Sequence, residues 1–361
     1  MDLASIGFDE FFQAAFRRFG RPGVPARIAA EHRGAFEVWW TGGSAPARLS
    51  GRLRRASEGQ PGVGDWVVLQ APPGPGGPAI AEALLPRRSV FTRGAAGRSS
   101  RVQVVAANVD VVFTVSGLDA DFNPRRIERY VALTWASGAQ PVVLLNKADL
   151  PGDPTLHVAE IEARCPTVPV HAVSARLGEG LDAPRSHLGD GRTAALVGSS
   201  GAGKTTLINA LLGEDRLVTR PVRQRDGRGT HTTTTRQLVR LPGEGLLLDT
   251  PGMRELLVHE NNGVEVVFED VATLATQCRF RNCQHENEPG CAVQEAIRAG
   301  RLTVERLDHF RALEREALAW QRRHDERLHR ESERAWGRRI KEAQVRIKVK
   351  RGDVDPDRYL K

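Results

Sequence analysis

Gly198-Ser199-Ser200-Gly201-Ala202-Gly203-Lys204-Thr205 satisfies Gly-x4-Gly-Lys-Ser/Thr, the pattern of a loop that cradles nucleotide phosphates. Backbone N–H groups of such a loop wrap the α- and β-phosphates, its lysine reaches the β- and γ-phosphates, and its Thr hydroxyl ligates Mg²⁺. Those roles fall here to the run from Gly198 to Thr206, with Lys204 and Thr205 as the reactive-end groups. Upstream lies Asn146-Lys147-Ala148-Asp149. A carboxylate at Asp149 can accept paired hydrogen bonds from guanine N1–H and N2–H₂, donors that adenine does not present together. The Lys147 stem can cover the base face and Asn146 can brace neighbouring loops. Ser174-Ala175 comes after it at about a helix-plus-strand distance and fits an element whose backbone supports the guanine.

Downstream, Leu246-Leu247-Leu248 runs into Asp249-Thr250-Pro251-Gly252. The aspartate of such an Asp-x-x-Gly can hold Mg²⁺ through water, and the Gly252 N–H can contact the γ-phosphate. Between this element and the phosphate loop, Gly227 to Thr235 is rich in glycine and threonine, and Thr232 and Thr233 offer hydroxyls for Mg²⁺ and the γ-phosphate. Met253 stands where many GTPases carry the glutamine that orients the attacking water, and a thioether cannot do that. His231 and His259 are the two candidate replacements, and the sequence does not choose between them.

The five elements run guanine reader, Ser-Ala, phosphate loop, threonine switch, Asp-x-x-Gly. An ordinary GTPase begins at the phosphate loop and ends at the Ser-Ala pair. The order here is a circular permutation: the same parallel sheet, cut at a different loop. Its consequence is mechanical, because the Asp-x-x-Gly switch now leads straight into the C-terminal region.

That region carries a second cluster, Cys278-x4-Cys283-x-His285-x5-Cys291. Four N/S ligands at short spacing suit one structural, tetrahedral Zn²⁺ per chain. A disulfide fits poorly, since three cysteines leave one unpaired. Cys165 has no metal-spaced neighbour and reads as a buried thiol.

The elements that must position these groups are legible from periodicity. Pro141 to Leu145 is a continuous apolar run, as expected of a parallel strand buried on both faces, and Thr193 to Val197 reads as a buried strand; the first places Asn146 to Asp149 at the C-terminal edge of a sheet. Between about residues 24 and 90 the pattern is short β-strands with turn punctuation: Val24 to Glu31, Phe36 to Thr41, Ala47 to Leu53 and Asp65 to Gln70. A small barrel of the OB type is expected, with Arg48, Arg52, Arg54, Arg55, Trp39 and Trp40 offering charge and stacking surface. Phe8, Phe11, Phe12, Ala15, Phe16 and Phe19 recur at helical spacing and predict an amphipathic helix packed on that barrel. Val293 to Arg315 is helix-forming, and the charged segment from Gln321 carries 14 basic against 8 acidic residues.

The expected fold class is multidomain α/β: an amphipathic helix over 1–22, an OB-fold barrel over 23–92, a circularly permuted P-loop GTPase domain over 98–257, a helical zinc-binding domain over 258–320 and a basic tail over 321–361. Across 361 residues, 52 Lys and Arg against 44 Asp and Glu give a net charge of +8, which favours a polyanionic partner. No apolar run approaches the ~18 residues of a bilayer span. Asp2, Asp9 and Glu10 do not fit a secretory leader, so a cytoplasmic location without a membrane partner is expected.

Taken together, the chain resembles the RsgA (YjeQ/YloQ) family of circularly permuted GTPases. The resemblance rests on the motif order, Asn108-Val109-Asp110, Asp121-Phe122-Asn123-Pro124-Arg125-Arg126-Ile127, Asp249-Thr250-Pro251-Gly252-Met253-Arg254-Glu255-Leu256 and the zinc pattern. It implies GTP/GDP and Mg²⁺ at Asn146 to Asp149 and Gly198 to Thr206, zinc at Cys278, Cys283, His285 and Cys291, and GTP hydrolysis stimulated by the 30S subunit late in its maturation. It implies contact with 16S rRNA and, at one remove, with other assembly factors, by a chain expected to be monomeric. Leu257-Val258-His259-Glu260 departs from the Trp-containing segment usual in the family, and the tail beyond about 320 is longer than usual. Two other readings stay open on sequence alone: an rRNA-binding scaffold with GTP as a structural ligand, and a P-loop enzyme that phosphorylates a small molecule.

Overall fold

A computed structural model of the chain describes residues 1–32, 35–55, 60–74, 76–94, 102–189, 191–213, 236–243, 245–249 and 262–319. The N-terminal aromatic stripe forms α1 (Glu10–Phe19), started by the Asp9 carboxylate on the Phe11 and Phe12 amides and ended by Gly20 in the left-handed region. Its inner residues pack on the chain's own barrel: Phe8 and Phe12 lie 4.7 and 5.7 Å from the Trp66 ring.

That barrel comprises β1 (Val24–His32), β2 (Ala35–Trp40), β3 (Gly43–Leu49), β4 (Trp66–Leu69) and β5 (Ala79–Leu84). Hydrogen bonding runs β1-β2-β3-β5-β4 and closes through β4 on β1, with β3 and β5 parallel. This is the connectivity of an OB-fold barrel. The third strand differs from its sequence expectation. It begins at Gly43 and ends at Leu49, because the Ser50 hydroxyl accepts from the Leu53 N–H and starts a short helix, α2 (Gly51–Arg54). Arg48, Arg52, Arg54 and Arg55 are exposed, whereas Trp39 and Trp40 are half-buried against the core.

A hairpin, β6 (Val90–Gly94) with β7 (Val102–Ala107), spans the join to the central sheet. That sheet contains β8 (Val111–Gly117), β9 (Gln140–Asn146), β10 (Val170–Val173), β11 (Thr193–Val197), β12 (Gln237–Leu241) and β13 (Gly245–Asp249). Its order is β10-β9-β8-β11-β13-β12, parallel except for β12. Every residue of β8 and β11 is buried, as expected of parallel strands covered on both faces. Helices α3 (Pro124–Ser137), α4 (Pro154–Arg164), α5 (Asp182–Ser186) and α6 (Lys204–Leu212) come after β8, β9, β10 and β11 respectively.

Two buried polar nodes lock the parts together. Arg27 of β1, almost inaccessible, donates to the carbonyls of Ile6 (2.6 Å), Asn108 (3.0 Å) and Gly64 (3.2 Å), so one guanidinium ties N-terminus, barrel and central sheet. Burial lowers its pKa to about 10, still well above neutrality. The second node joins the central domain to the C-terminal helices α7 (Asn262–Val267), α8 (Glu269–Thr276), α9 (Ala292–Arg298) and α10 (residues 304–319). Glu128 of α3, fully buried, accepts from Arg306 and His309 Nδ1 (2.7 Å) of α10, and Arg164 of α4 lies 3.4 Å away. Arg306 also donates to the Val267 carbonyl (2.8 Å), pairs with Asp270 (3.0 Å) and stacks over Phe268. Losing one partner of such a buried cluster leaves an uncompensated charge, at a cost on the order of 3–5 kcal/mol. The single helix suggested by Val293 to Arg315 is two, α9 and α10, because Gly300 takes a left-handed conformation after Ala299 and ends the first.

Candidate functional site

Parallel strands deliver their C-terminal ends to one edge, and five of them place the chemistry there. In spatial order, β10 ends at Val173 and leads into Ser174, β9 ends at Asn146, β8 at Gly117, β11 at Val197 just before Gly198, and β13 at Asp249. Asn146 is the keystone. Its buried side-chain amide donates to the Ala202 carbonyl of the phosphate loop (2.9 Å), and its Oδ1 accepts from the Ala175 N–H (3.0 Å). One side chain therefore bridges guanine reader, Ser-Ala pair and phosphate loop, three segments far apart in sequence. Gly203 must be glycine for this: its φ is +92°, and a Cβ there would sit 2.2 Å from the Asn146 Nδ2.

Asp149 accepts from the Ser174 hydroxyl (2.6 Å) and pairs with Arg176 (2.6 Å). The Ser174 hydrogen bond above all, helped by its own backbone N–H and by the Arg176 charge, holds its carboxyl below the usual carboxylate value, so it is an ionised acceptor at neutral pH. A carboxylate has about four acceptor lobes, so these two partners orient it without exhausting it. The Ala148 N–H donates to the Val173 carbonyl (3.1 Å), pinning the loop to β10.

Past β11, the glycine-rich loop opens into α6, whose Leu207, Ile208, Leu211 and Leu212 are buried and anchor it. Lys204, Thr205 and Thr206 occupy its first turn, half-buried, where the positive end of the helix dipole favours an anion. Lys204 Nζ donates to the carbonyls of Gly198 (2.9 Å) and Ser199 (2.5 Å), so the ammonium folds back onto the start of the loop. Asp249 closes β13, next to the phosphate-loop strand. Gly252, Met253, Thr232, Thr233, His231 and His259 lie outside the described residues.

The second cluster is assembled by a knuckle between α8 and α9. Cys278, Cys283, His285 and Cys291 bring one ligand atom each within 4.8 Å of one another. Cys278 Sγ lies 3.8 Å from Cys291 Sγ, and His285 Nδ1 lies 3.5 Å from each. With Zn–S near 2.3 Å and Zn–N near 2.0–2.1 Å, a tetrahedron places S···S at about 3.8 Å and S···N at about 3.6 Å. The donor set fits zinc, and 3.8 Å is far beyond a disulfide bond. His285 holds φ at +59°, a conformation uncommon for a residue with a Cβ, and burial lowers its pKa, favouring the neutral, ligating imidazole. Cys165, by contrast, is a free cysteine outside that cluster, and burial pushes its thiol up to about 12.

Sequence reasoning missed Asp119 and Arg176, and quoted Asp121 in a family motif without giving it a role; all three contact this edge. The available signal was position: each comes directly after an apolar strand or motif that ends at the ligand-binding side of the sheet.

Residues 84–259 match the family model described as RsgA GTPase. A small ribosomal subunit biogenesis GTPase RsgA of Opitutus terrae is 45% identical over 349 residues, covering 93% of this chain and 95% of that protein. The protein of the same name from Xanthomonas axonopodis pv. citri is 48% identical over 304 residues, covering 82% and 81%. Among solved structures, that of YjeQ from Thermotoga maritima superposes with a TM-score of 0.62 at 26% identity, over 82% of this chain and 99% of that one. That of YloQ, a circularly permuted GTPase, reaches 0.59 at 24% identity, over 83% and 96%, and speaks for the fold alone.

Proposed function

The chain belongs to the RsgA GTPase family, and we propose that it hydrolyses GTP to GDP and phosphate in the late maturation of the small ribosomal subunit, which stimulates the reaction. The observation that carries the reading is the Asn146 side chain, which holds the guanine reader, the Ser-Ala pair and the phosphate loop as one site. Asn146, Lys147, Ala148, Asp149, Ser174 and Ala175 hold the base; Gly198 to Thr206 hold the phosphates. Thr205 and Asp249, with Thr232 and Thr233, would supply ligands for Mg²⁺, which when bound would offset charge on the phosphates. Cys278, Cys283, His285 and Cys291 hold one structural zinc.

Met253 supplies no group to orient water, so turnover by the protein alone is slow and the subunit completes the site, acting with His231 or His259. The basic charge of the chain supports contact with 16S rRNA. The protein acts as a cytoplasmic monomer, and no helix among the described residues is long and apolar enough to cross a membrane.

Purified 30S subunits added to a GTP hydrolysis assay test the proposal. A large rise in turnover is expected. Unchanged turnover would favour an rRNA-binding scaffold in which GTP is a structural ligand. Lys204→Ala should lower the stimulated rate by at least on the order of 10²-fold, since a charge aimed at the transferring phosphoryl group is lost. Wild-type turnover in that variant, assayed with subunits present, would show that Gly198 to Thr205 is not the phosphate site.

A further inference from the structure

Strand order puts the end of β8 between the end of β9, which carries the guanine reader, and the end of β11, which carries the phosphate loop. The loop leaving β8 is Gly117-Leu118-Asp119-Ala120-Asp121-Phe122-Asn123, and each of its carboxylates reaches a different neighbour. Asp119 Oδ2 lies 2.6 Å from Lys147 Nζ. Burial opposes ionisation there, yet the hydrogen bond from Lys147 holds the Asp119 carboxyl below its ordinary value. On the other side, Asp121 Oδ2 accepts from the Ser199 hydroxyl of the phosphate loop, while Oδ1 pairs with Arg126 at 2.7 Å. The Asp121 N–H donates to Asp119 Oδ1 (3.1 Å), so the two carboxylates belong to one braced turn.

The backbone around this turn is built for the contact. Gly117 has no side chain where the Lys147 stem crosses: a Cβ there would lie 2.6 Å from Asp119 Oδ1 and 3.3 Å from Lys147 Cδ. Lys147 itself holds φ at +68°, a left-handed conformation that costs energy in a residue with a Cβ and persists only when neighbours impose it. The Asp119 ion pair is one such neighbour. Arg126, on the first turn of α3, offsets the Asp121 charge, so that this carboxylate does not face the phosphate-binding loop uncompensated.

We propose that Asp119 and Asp121 are positioning residues of the nucleotide site: Asp119 sets the Lys147 side chain against the base, and Asp121 sets Ser199 and with it the phosphate loop. Neither touches the reacting atoms. The loop makes base recognition and phosphate grip parts of one rigid unit, so an error at either end weakens both. The inference rests on the guanine-nucleotide reading of the site.

Fluorescent GDP and a fluorescent non-hydrolysable GTP analogue, titrated into the full chain, test it together with steady-state hydrolysis in the presence of 30S subunits. Asp119→Asn should weaken both nucleotides by about tenfold, the loss of one charge-assisted hydrogen bond between partly exposed groups. KM for GTP should rise with kcat within about twofold, and Asp119→Glu, which keeps the charge, should recover part of the loss. Asp121→Asn and Ser199→Ala should each weaken binding, and the double variant should lose no more than the worse single one. Wild-type affinity in Asp119→Asn and Asp121→Asn, or fully additive losses in the double variant, would overturn the proposal while leaving the guanine site standing. So would a fall in kcat and melting temperature with KM unchanged, the mark of a merely structural role. A wild-type chain that bound neither probe would overturn this inference and the underlying reading together.

Discussion

Asp149→Asn should turn a guanine site into a xanthine site. In the wild-type chain the carboxylate, oriented by Ser174 and Arg176 and held ionised by them, can only accept hydrogen bonds. Guanine answers with two donors, N1–H and N2–H₂. Adenine presents an acceptor at N1, so its binding would leave an oriented carboxylate unpaired. Sites that recognise a ligand by such polar pairing reject the analogue that lacks it by on the order of 10⁴-fold. GTP should therefore outcompete ATP by about that factor in equilibrium competition. In the variant, the amide offers a donor where xanthine has its C2 carbonyl, so xanthosine triphosphate should compete better than GTP. Equal competition by ATP and GTP for the wild-type protein, or an unaltered order in the variant, would show that Asp149 does not read the base.

Loss of the metal cluster should have the largest effect on stability. Structural zinc contributes on the order of 10 kcal/mol in small modules, comparable to the whole stability of an ordinary domain. The three cysteines and His285 close a knuckle, and Cys291, as the N-cap of α9, accepts from the Gln294 N–H. Cys283→Ser, or removal of zinc by chelator, should loosen residues after about 265, read as fast amide exchange across α8, α9 and α10. The central sheet has its own core, with Val111, Phe113, Leu144, Leu196 and Leu207 buried together. Guanine-nucleotide binding should therefore survive. Elemental analysis of protein purified without chelator should give one zinc per chain. Stoichiometry near zero, or protection of the three helices unchanged by chelator, would refute the assignment.

The two variants probe opposite ends of a molecule joined at α3. Asn123 caps that helix next to the Asp119–Asp121 turn, and Glu128 and Arg129 further along it hold α10 through Arg306, His309 and Glu316. The same helix thus contacts the edge that carries the candidate nucleotide site and the C-terminal helix α10.

What the sequence determined by itself was whatever is encoded over a few consecutive residues. The loop from Gly198 to Thr205 is a backbone conformation favoured by its glycines; Asn146 to Asp149 and Ser174-Ala175 each stand at the end of a strand; Cys278, Cys283, His285 and Cys291 fall within fourteen residues. Their order along the chain was enough to expose the permutation, and the short, punctuated strands were enough to expect the barrel. Where local chemistry competed with the strand pattern, the reading slipped. Ser50 capped a helix where a strand was expected to run on to Leu53, and Gly300 divided one expected helix into two. Tertiary structure alone decided which strand lies beside which. Neither the contact of Asp119 with Lys147 nor that of Asp121 with Ser199 is visible until β8 is seen between β9 and β11. Arg27 reads as one more surface charge until three carbonyls from separate segments converge on it. Glu128 reads as a helix-surface carboxylate until α10 brings Arg306 and His309 against it. The physical reason is common to all three. A buried charge or an ion pair is set by neighbours that strand order and helix docking bring from 21 to 181 positions away, and no pattern of adjacent residues records which ones they are.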